Sequence, residues 1–416
     1  MPVCFSGLMC HAPIVIPQVA GHRGNLCATS TRTMREVATR VVDSNPERLV
    51  LISPHSPRLN DRFCSWKGAH LGDLSAFGFP QLSIDLPDAP EVAQSLSIPA
   101  NLESTKGNKL DHGAVVPLFF LVEAGWCGPT SILSVPWNGN QHEEIGRLLN
   151  MLPGKTAVIA SGDMSHRLKK GAPAGYHPQA QNFDKAFVAA LQANNWSKIA
   201  QIPFQKEAAE DVVDSTRVAV AAAQRPLNAE VLSYEGPWGV GYTQAVFYDP
   251  APPLYAIARR AVRSKVIGEE IVVPQGGPAA KGVFVTLNKA GKLRGCIGHI
   301  FPTCHTLYQE ITEVAQLSAT KDPRFPVVKV AELPSLQYEI SVLEPPEEIS
   351  NKSQLNPKKY GVIVSSGYKK GVLLPSLDGI DTIDMQLKIA CRKAGIDQQT
   401  PMQVERFTVT KVKQPL

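Results

Sequence analysis

Four histidines share one setting in this chain. His11 follows the apolar run Val3–Met9 and enters the Pro-interrupted stretch His11-Ala12-Pro13. His55 follows the run Arg48–Ser53 and is flanked by Pro54 and Pro57. His112 stands in Asp111-His112-Gly113, and His166 closes Gly162-Asp163-Met164-Ser165-His166 after the run Thr156–Ser161. Short apolar runs bounded by Pro and Gly read as buried strands, and strand ends in a helix-covered sheet are where such folds keep their chemistry. Imidazole is a ligand for iron, zinc and copper, and Glu235 offers a hard oxygen at another strand end. Two imidazoles and one carboxylate on one face of a metal leave positions open for substrate and oxygen. The remaining histidines would then stand behind the ligands or act as acid–base groups. Taken singly, each histidine also reads as a hydrogen-bonded loop residue; together they converge only if their strands are neighbours. His22, His70, His142 and His177 lack this setting and are expected at the surface or in loops.

A second chemical candidate is the cysteine in Arg294-Gly295-Cys296-Ile297-Gly298-His299, after an expected strand at 283–287. Glycines around a cysteine permit a backbone path closed to bulkier residues and allow a ligand or partner backbone to approach. Arg294 would favour the thiolate. A free cysteine also fits as a small buried hydrophobe. No His and Asn pair stands out to complete a nucleophilic triad, although His299, Cys304 and His305 are near in sequence.

The elements that must position these groups alternate. Expected helices at 34–43, 113–122 and 143–152 separate strands at 3–9, 48–53, 131–135 and 156–161, which argues for a sheet with helices on both faces. Residues 63–102, rich in Gly, Ser, Pro and aromatics, read as an irregular lid. An Ala-rich helical region spans 179–223 with a break at 196–204, and 231–235 with 243–248 read as a hairpin. Asp249-Pro250-Ala251-Pro252-Pro253 is the best linker in the chain, and a helix at 254–267 opens a part richer in Lys and Val. The expected architecture is therefore an α/β domain over 1–250 and a smaller α+β domain over 251–416.

Composition narrows the classes. A chain of 416 residues exceeds one ordinary core, and 44% hydrophobic with 19% charged residues describes a globular protein. A net charge of +5 with scattered basic residues argues against nucleic-acid binding. No apolar run reaches the ~18–20 residues that span a bilayer. The N-terminus lacks the basic start of a secretory signal, and eight cysteines without a CxxC pair suit a reducing compartment. A cytoplasmic location is expected.

The four histidine motifs, with Val116-Pro117-Leu118, resemble LigB-type class III extradiol dioxygenases and the related Memo proteins over about the first 250 residues. That resemblance implies Fe(II) held by His11, His55 and Glu235, with His166 as the acid–base residue and His112 positioning substrate and oxygen. The implied reaction is ring opening of a catechol-type aromatic by dioxygen. Asp163 departs from the small residue usual in dioxygenases, matches Memo proteins instead, and is counted with His166 and His112 among the catalytic candidates. The same ligands also suit zinc, as in a metal-dependent hydrolase, or a Memo-type metal- or peptide-binding adaptor.

The run Leu293-Arg294-Gly295-Cys296-Ile297-Gly298, with Asp322-Pro323-Arg324-Phe325-Pro326 and Gly371-Val372-Leu373-Leu374-Pro375, resembles the AMMECR family from residue 254 onward. It implies a compact α+β domain. A Trp usual after the Leu-Leu-Pro segment is absent where Asp381-Thr382-Ile383-Asp384 stands. The pairing of the two parts resembles AmmeMemoRadiSam-type proteins. This chain has no CxxxCxxC cluster motif, so a radical-SAM partner would be a separate protein.

Overall fold

Strand burial follows directly from the apolar runs. In a computed structural model, which describes residues 2–103, 109–268, 273, 277–377, 379–397 and 399–414, every residue of Val3–Met9 (β1) and of Thr156–Ser161 (β8) is buried. Every residue of Thr130–Ser134 (β7) is buried too, and in Arg48–Ser53 (β2) all but Arg48 are. Runs without polar alternation belong to strands covered on both sides. In β2, Leu49 and Leu51 face one core while Val50 and Ile52 face the other, as the period of a strand requires.

The chain forms two compact units, Met1–Pro252 and Pro253–Leu416, dividing inside the Pro-rich stretch. In the first, Cys64–Lys67 (β3), Ala100–Glu103 (β6), Glu230–Glu235 (β9) and Tyr242–Tyr248 (β10) complete an eight-stranded sheet ordered β6-β3-β7-β2-β8-β1-β10-β9. Strands β7, β2, β8 and β1 run parallel, and β10 and β9 close that side antiparallel. Ala28–Asp43 (α2, after the short α1, Pro17–Ala20) and His112–Glu123 (α4) pack on one face. Pro90–Ser95 (α3), His142–Leu149 (α5), Ala180–Gln192 (α6) and Val213–Ala223 (α8, after the short α7, Gln205–Ala208) pack on the other.

The segment at 63–102 is not irregular. It supplies β3, α3 and β6, and a separate ribbon of His70–Leu74 (β4) with Phe79–Leu86 (β5). The pattern in β5 is plain once paired: Leu82, Ile84 and Leu86 point inward and alternate with exposed residues. Gly, Ser and Pro around these short strands concealed that alternation.

The second unit is α+β. Gly282–Lys289 (β11), Lys292–His299 (β12), Leu336–Leu343 (β13) and Val409–Lys413 (β18) form an antiparallel sheet ordered β12-β11-β13-β18. Leu254–Ile267 (α9) and Leu307–Thr320 (α10) share a core with it. Glu347–Glu348 (β14), Gly361–Ser366 (β15), Lys369–Leu373 (β16) and Gln403–Phe407 (β17) form a second sheet, against which Ile383–Ala394 (α11) packs. Among the described residues, no helix is long and apolar enough to cross a membrane.

Candidate metal centre

Strand register assembles the centre. Met9 of β1 pairs with Ser161 of β8, and Ile52 of β2 with Ala160, so three neighbouring strands run out at one level. Two residues beyond each strand stand His11, Asp163 and His55. His112 arrives from another direction as the first residue of α4. Its neighbour must be glycine, because a Cβ on Gly113 would lie 2.9 Å from both His55 Cβ and Asp111 Oδ1. The three rings consequently meet, with centroids 4.7 Å apart for His11–His55, 5.5 Å for His11–His112 and 4.5 Å for His55–His112. One nitrogen from each lies within 4.8 Å of the other two, the only such group of His, Cys, Asp or Glu among the described residues.

The buried member is held in a defined tautomer. Pro117 has no N–H, so the Gly113 carbonyl four residues before it lacks a helical donor. Ser161 Oγ donates to that carbonyl at 2.5 Å and lies 3.0 Å from His11 Nδ1. Its one proton being spent, the hydroxyl accepts from Nδ1–H, so Nε2 is the nitrogen that becomes free when His11 gives up a proton to bind a metal. That Nε2 is buried and makes no hydrogen bond.

Two carboxylates complete the surroundings. Asp211, just before α8, places Oδ2 3.0 Å from His55 Nε2 and 3.4 Å from His11 Nε2. Its Oδ1 accepts the Asp163 N–H at 2.7 Å. Asp163 Oδ1 accepts the His11 N–H at 2.9 Å. Burial works against a charge on His11, but Asp163 and Asp211 outweigh it and push the imidazole up to about 9. Burial, with His11 and His55 nearby, pushes His112 down to about 3. Burial opposes the Asp211 charge too, yet the nearby His11 imidazole and the hydrogen bond with His55 hold that carboxyl well below the usual range. Glu210 beside it accepts the N–H groups of Val212 and Val213 at the head of α8, and burial pushes it up to about 8.

Glu235, expected as the carboxylate ligand, does not join this group. Its Oε1 accepts the Ser30 N–H at 2.8 Å, at the start of α2. The reason lies in the sheet order: β9 is an edge strand and β10 separates it from β1, placing Glu235 two strand spacings, about 10 Å, from His11. The carboxylate that reaches the imidazoles is Asp211, which sequence reading missed because it lay in the Ala-rich region read as helical beyond the break at 196–204. Its one signal was the acidic pair Glu210-Asp211 directly before an apolar run. His166 is half-buried and donates Nδ1–H to the Ala209 carbonyl at 2.8 Å. His70 and His142 are not at the surface: His70 Nε2 donates to the Thr130 carbonyl at 2.8 Å, and buried His142 meets the Phe63 ring.

In the second unit the glycines around Cys296 serve the fold. A Cβ on Gly295 would lie 2.4 Å from the Ser318 carbonyl oxygen, and one on Gly298 would strike the Phe284 ring. Arg294 does not face the thiol; its guanidinium makes two 3.0 Å bonds to Glu332, which hold that carboxyl well below its usual range. The arginine at the cysteine is Arg324, bonded to the Cys296 carbonyl and to Asp322, which itself accepts the Cys296 N–H. The Cys296 Sγ lies 3.3 Å from the Thr286 hydroxyl.

Comparison with known proteins gives the family. Residues 7–247 match the family model described as the catalytic LigB subunit of aromatic ring-opening dioxygenase. The chain belongs to the LigB family. In its Memo-like form here, the LigB domain is followed by an AMMECR1 domain, whose family model matches residues 255–412. A protein of Clostridium acetobutylicum is 30% identical over 98% of both chains. One from Thermotoga maritima is 48% identical over 32% of this chain and 77% of its own. A solved structure of an uncharacterised Pyrococcus horikoshii protein is 36% identical, covers 38% of this chain and 89% of its own, and has a TM-score of 0.35.

Proposed function

We propose that the LigB domain is a non-haem Fe(II) enzyme of extradiol type, opening the ring of a catechol-type aromatic. The observation supporting this is the convergence of His11, His55 and His112 with the Asp211 carboxylate 3.0 and 3.4 Å from two of the imidazoles. The donor set fits the metal: His11 presents a buried, unbonded Nε2, with the opposite nitrogen fixed by Ser161, as ligating histidines usually are. His11, His55 and Asp211 would hold the ion, and a two-histidine, one-carboxylate set leaves room for substrate. When bound, the ion would supply electron transfer between an aromatic diol and dioxygen.

The chain's own residues have separate tasks. His166, its Nδ1–H committed to Ala209, keeps Nε2 for taking and returning a substrate hydroxyl proton. Phe77, partly exposed with its ring 5.4 Å from that of His112, offers an apolar edge to an aromatic ring. Oxygen uptake by anaerobically iron-loaded protein tests the reading. Consumption matched by ring-opened product is expected with at least one catechol; no uptake across a panel of substituted catechols would sink it.

A further inference from the structure

In the second unit, four side chains that carry metal-binding atoms gather around the Thr303 hydroxyl. His299 ends β12, Cys304 lies in the loop that follows, and Glu310 and Glu313 stand three residues apart on one face of α10. Thr303 Oγ1 is 3.4 Å from His299 Nδ1, 3.3 Å from Glu310 Oε2, 3.3 Å from Glu313 Oε2 and 4.0 Å from Cys304 Sγ. Two close pairs make up the group. His299 Nδ1 and Glu310 Oε1 are 2.7 Å apart, and Cys304 Sγ and Glu313 Oε2 are 3.1 Å apart. Two ligands of one tetrahedral ion stand about 3–4 Å from each other, so each pair is already at or inside that spacing. The pairs do not yet share one point as the three imidazoles of the first unit do. The hydroxyl of exposed Thr303 stands between them, and exposed Glu313 can turn.

The fold accounts for one member of the group. Glu310, fully buried, accepts the N–H groups of Thr303 and Cys304 at 2.8 and 2.9 Å and so shapes the loop. What remains is short of positive charge. Among the described residues, His299 is the only ion-pair partner of either glutamate. Partial burial, then the hydrogen bond to Glu313, pushes the Cys304 thiol up to about 11, so it keeps its proton at neutral pH. A divalent cation supplies the missing charge and displaces that proton. One imidazole nitrogen, one sulfur and carboxylate oxygens suit zinc or cobalt better than magnesium or calcium.

We infer that His299, Cys304 and Glu313, with Glu310 beside them, form a second metal site that takes Zn(II) or a chemically similar ion and fastens the loop after β12 to α10. It shares no residue with the centre at His11.

Anaerobic titration of the full-length protein with Co(II) tests this, because none of the ligands assigned to the His11 centre is a sulfur. Thiolate bound to Co(II) gives a near-ultraviolet charge-transfer band. The band should form in the unaltered protein, and in His11→Ala it should saturate at one Co(II) per chain. Cys304→Ser should lose it, and Glu313→Gln should weaken the binding it reports about ten-fold or more. Absence of the band from the unaltered protein would overturn the site. So would a band that survives Cys304→Ser, disappears in His11→Ala, or keeps its affinity in Glu313→Gln.

Discussion

Ser161 and His11 share a hydrogen bond whose direction is set from outside the pair. The hydroxyl gives its proton to Gly113, whose carbonyl is available because Pro117 cannot donate within α4, and so receives a proton from His11 Nδ1. A helix proline thus decides which imidazole nitrogen faces the centre. Ser161→Ala should lower metal affinity about 10- to 100-fold, the usual cost of losing a partner behind a ligand. Ser161→Thr should restore most of it. Chelator-competition titration with Zn(II) measures both.

The ligand set is separable by single substitutions. His11→Ala and Asp211→Asn should each lose stoichiometric metal in anaerobic metal analysis. Glu235→Gln should retain it, because that side chain serves the Ser30 N–H. Stoichiometric iron in Asp211→Asn would remove Asp211 from the set.

Gly113→Ala tests the convergence of the rings. The added methyl would press on His55 Cβ and the Asp111 carboxylate, both 2.9 Å away. A loss of about 1–3 kcal/mol in urea unfolding is expected, the usual cost of overpacking. Metal affinity should fall as well, since His55 is the group displaced.

A buried carboxyl away from the centre gives stability a pH dependence. Burial pushes Asp184 up to about 6, although it accepts the Tyr234 hydroxyl at 2.7 Å and the Ser165 N–H at 3.0 Å. Because the folded value is raised, its contribution is complete below the unfolded carboxylate value and is lost as pH rises through about 6. The loss is on the order of 3 kcal/mol for a shift of about two units. Urea midpoints between pH 4 and 7 should show this decline, and Asp184→Asn should flatten it.

Much of the site was legible in the chain because it depends on local pattern. Apolar runs ending in His11 and His55 fix strands and the loops beyond them, and the Asp111-His112-Gly113 signature carries a helix start. The Pro-rich stretch at 249–253 likewise marks where one core ends and another begins.

Sequence by itself determined which residues could carry chemistry and that they lie at strand ends, since side-chain type and hydrophobic period are local properties. Only the tertiary structure decided which of them meet. Strand order put Glu235 at the far edge of the sheet, while the packing of α8 brought Asp211 to His11 and His55. In the second domain, sheet and helix packing turned Arg294 to Glu332 and left Arg324 beside Cys296. Distances between residues 150 or 200 positions apart depend on sheet order and helix packing, which no local pattern encodes.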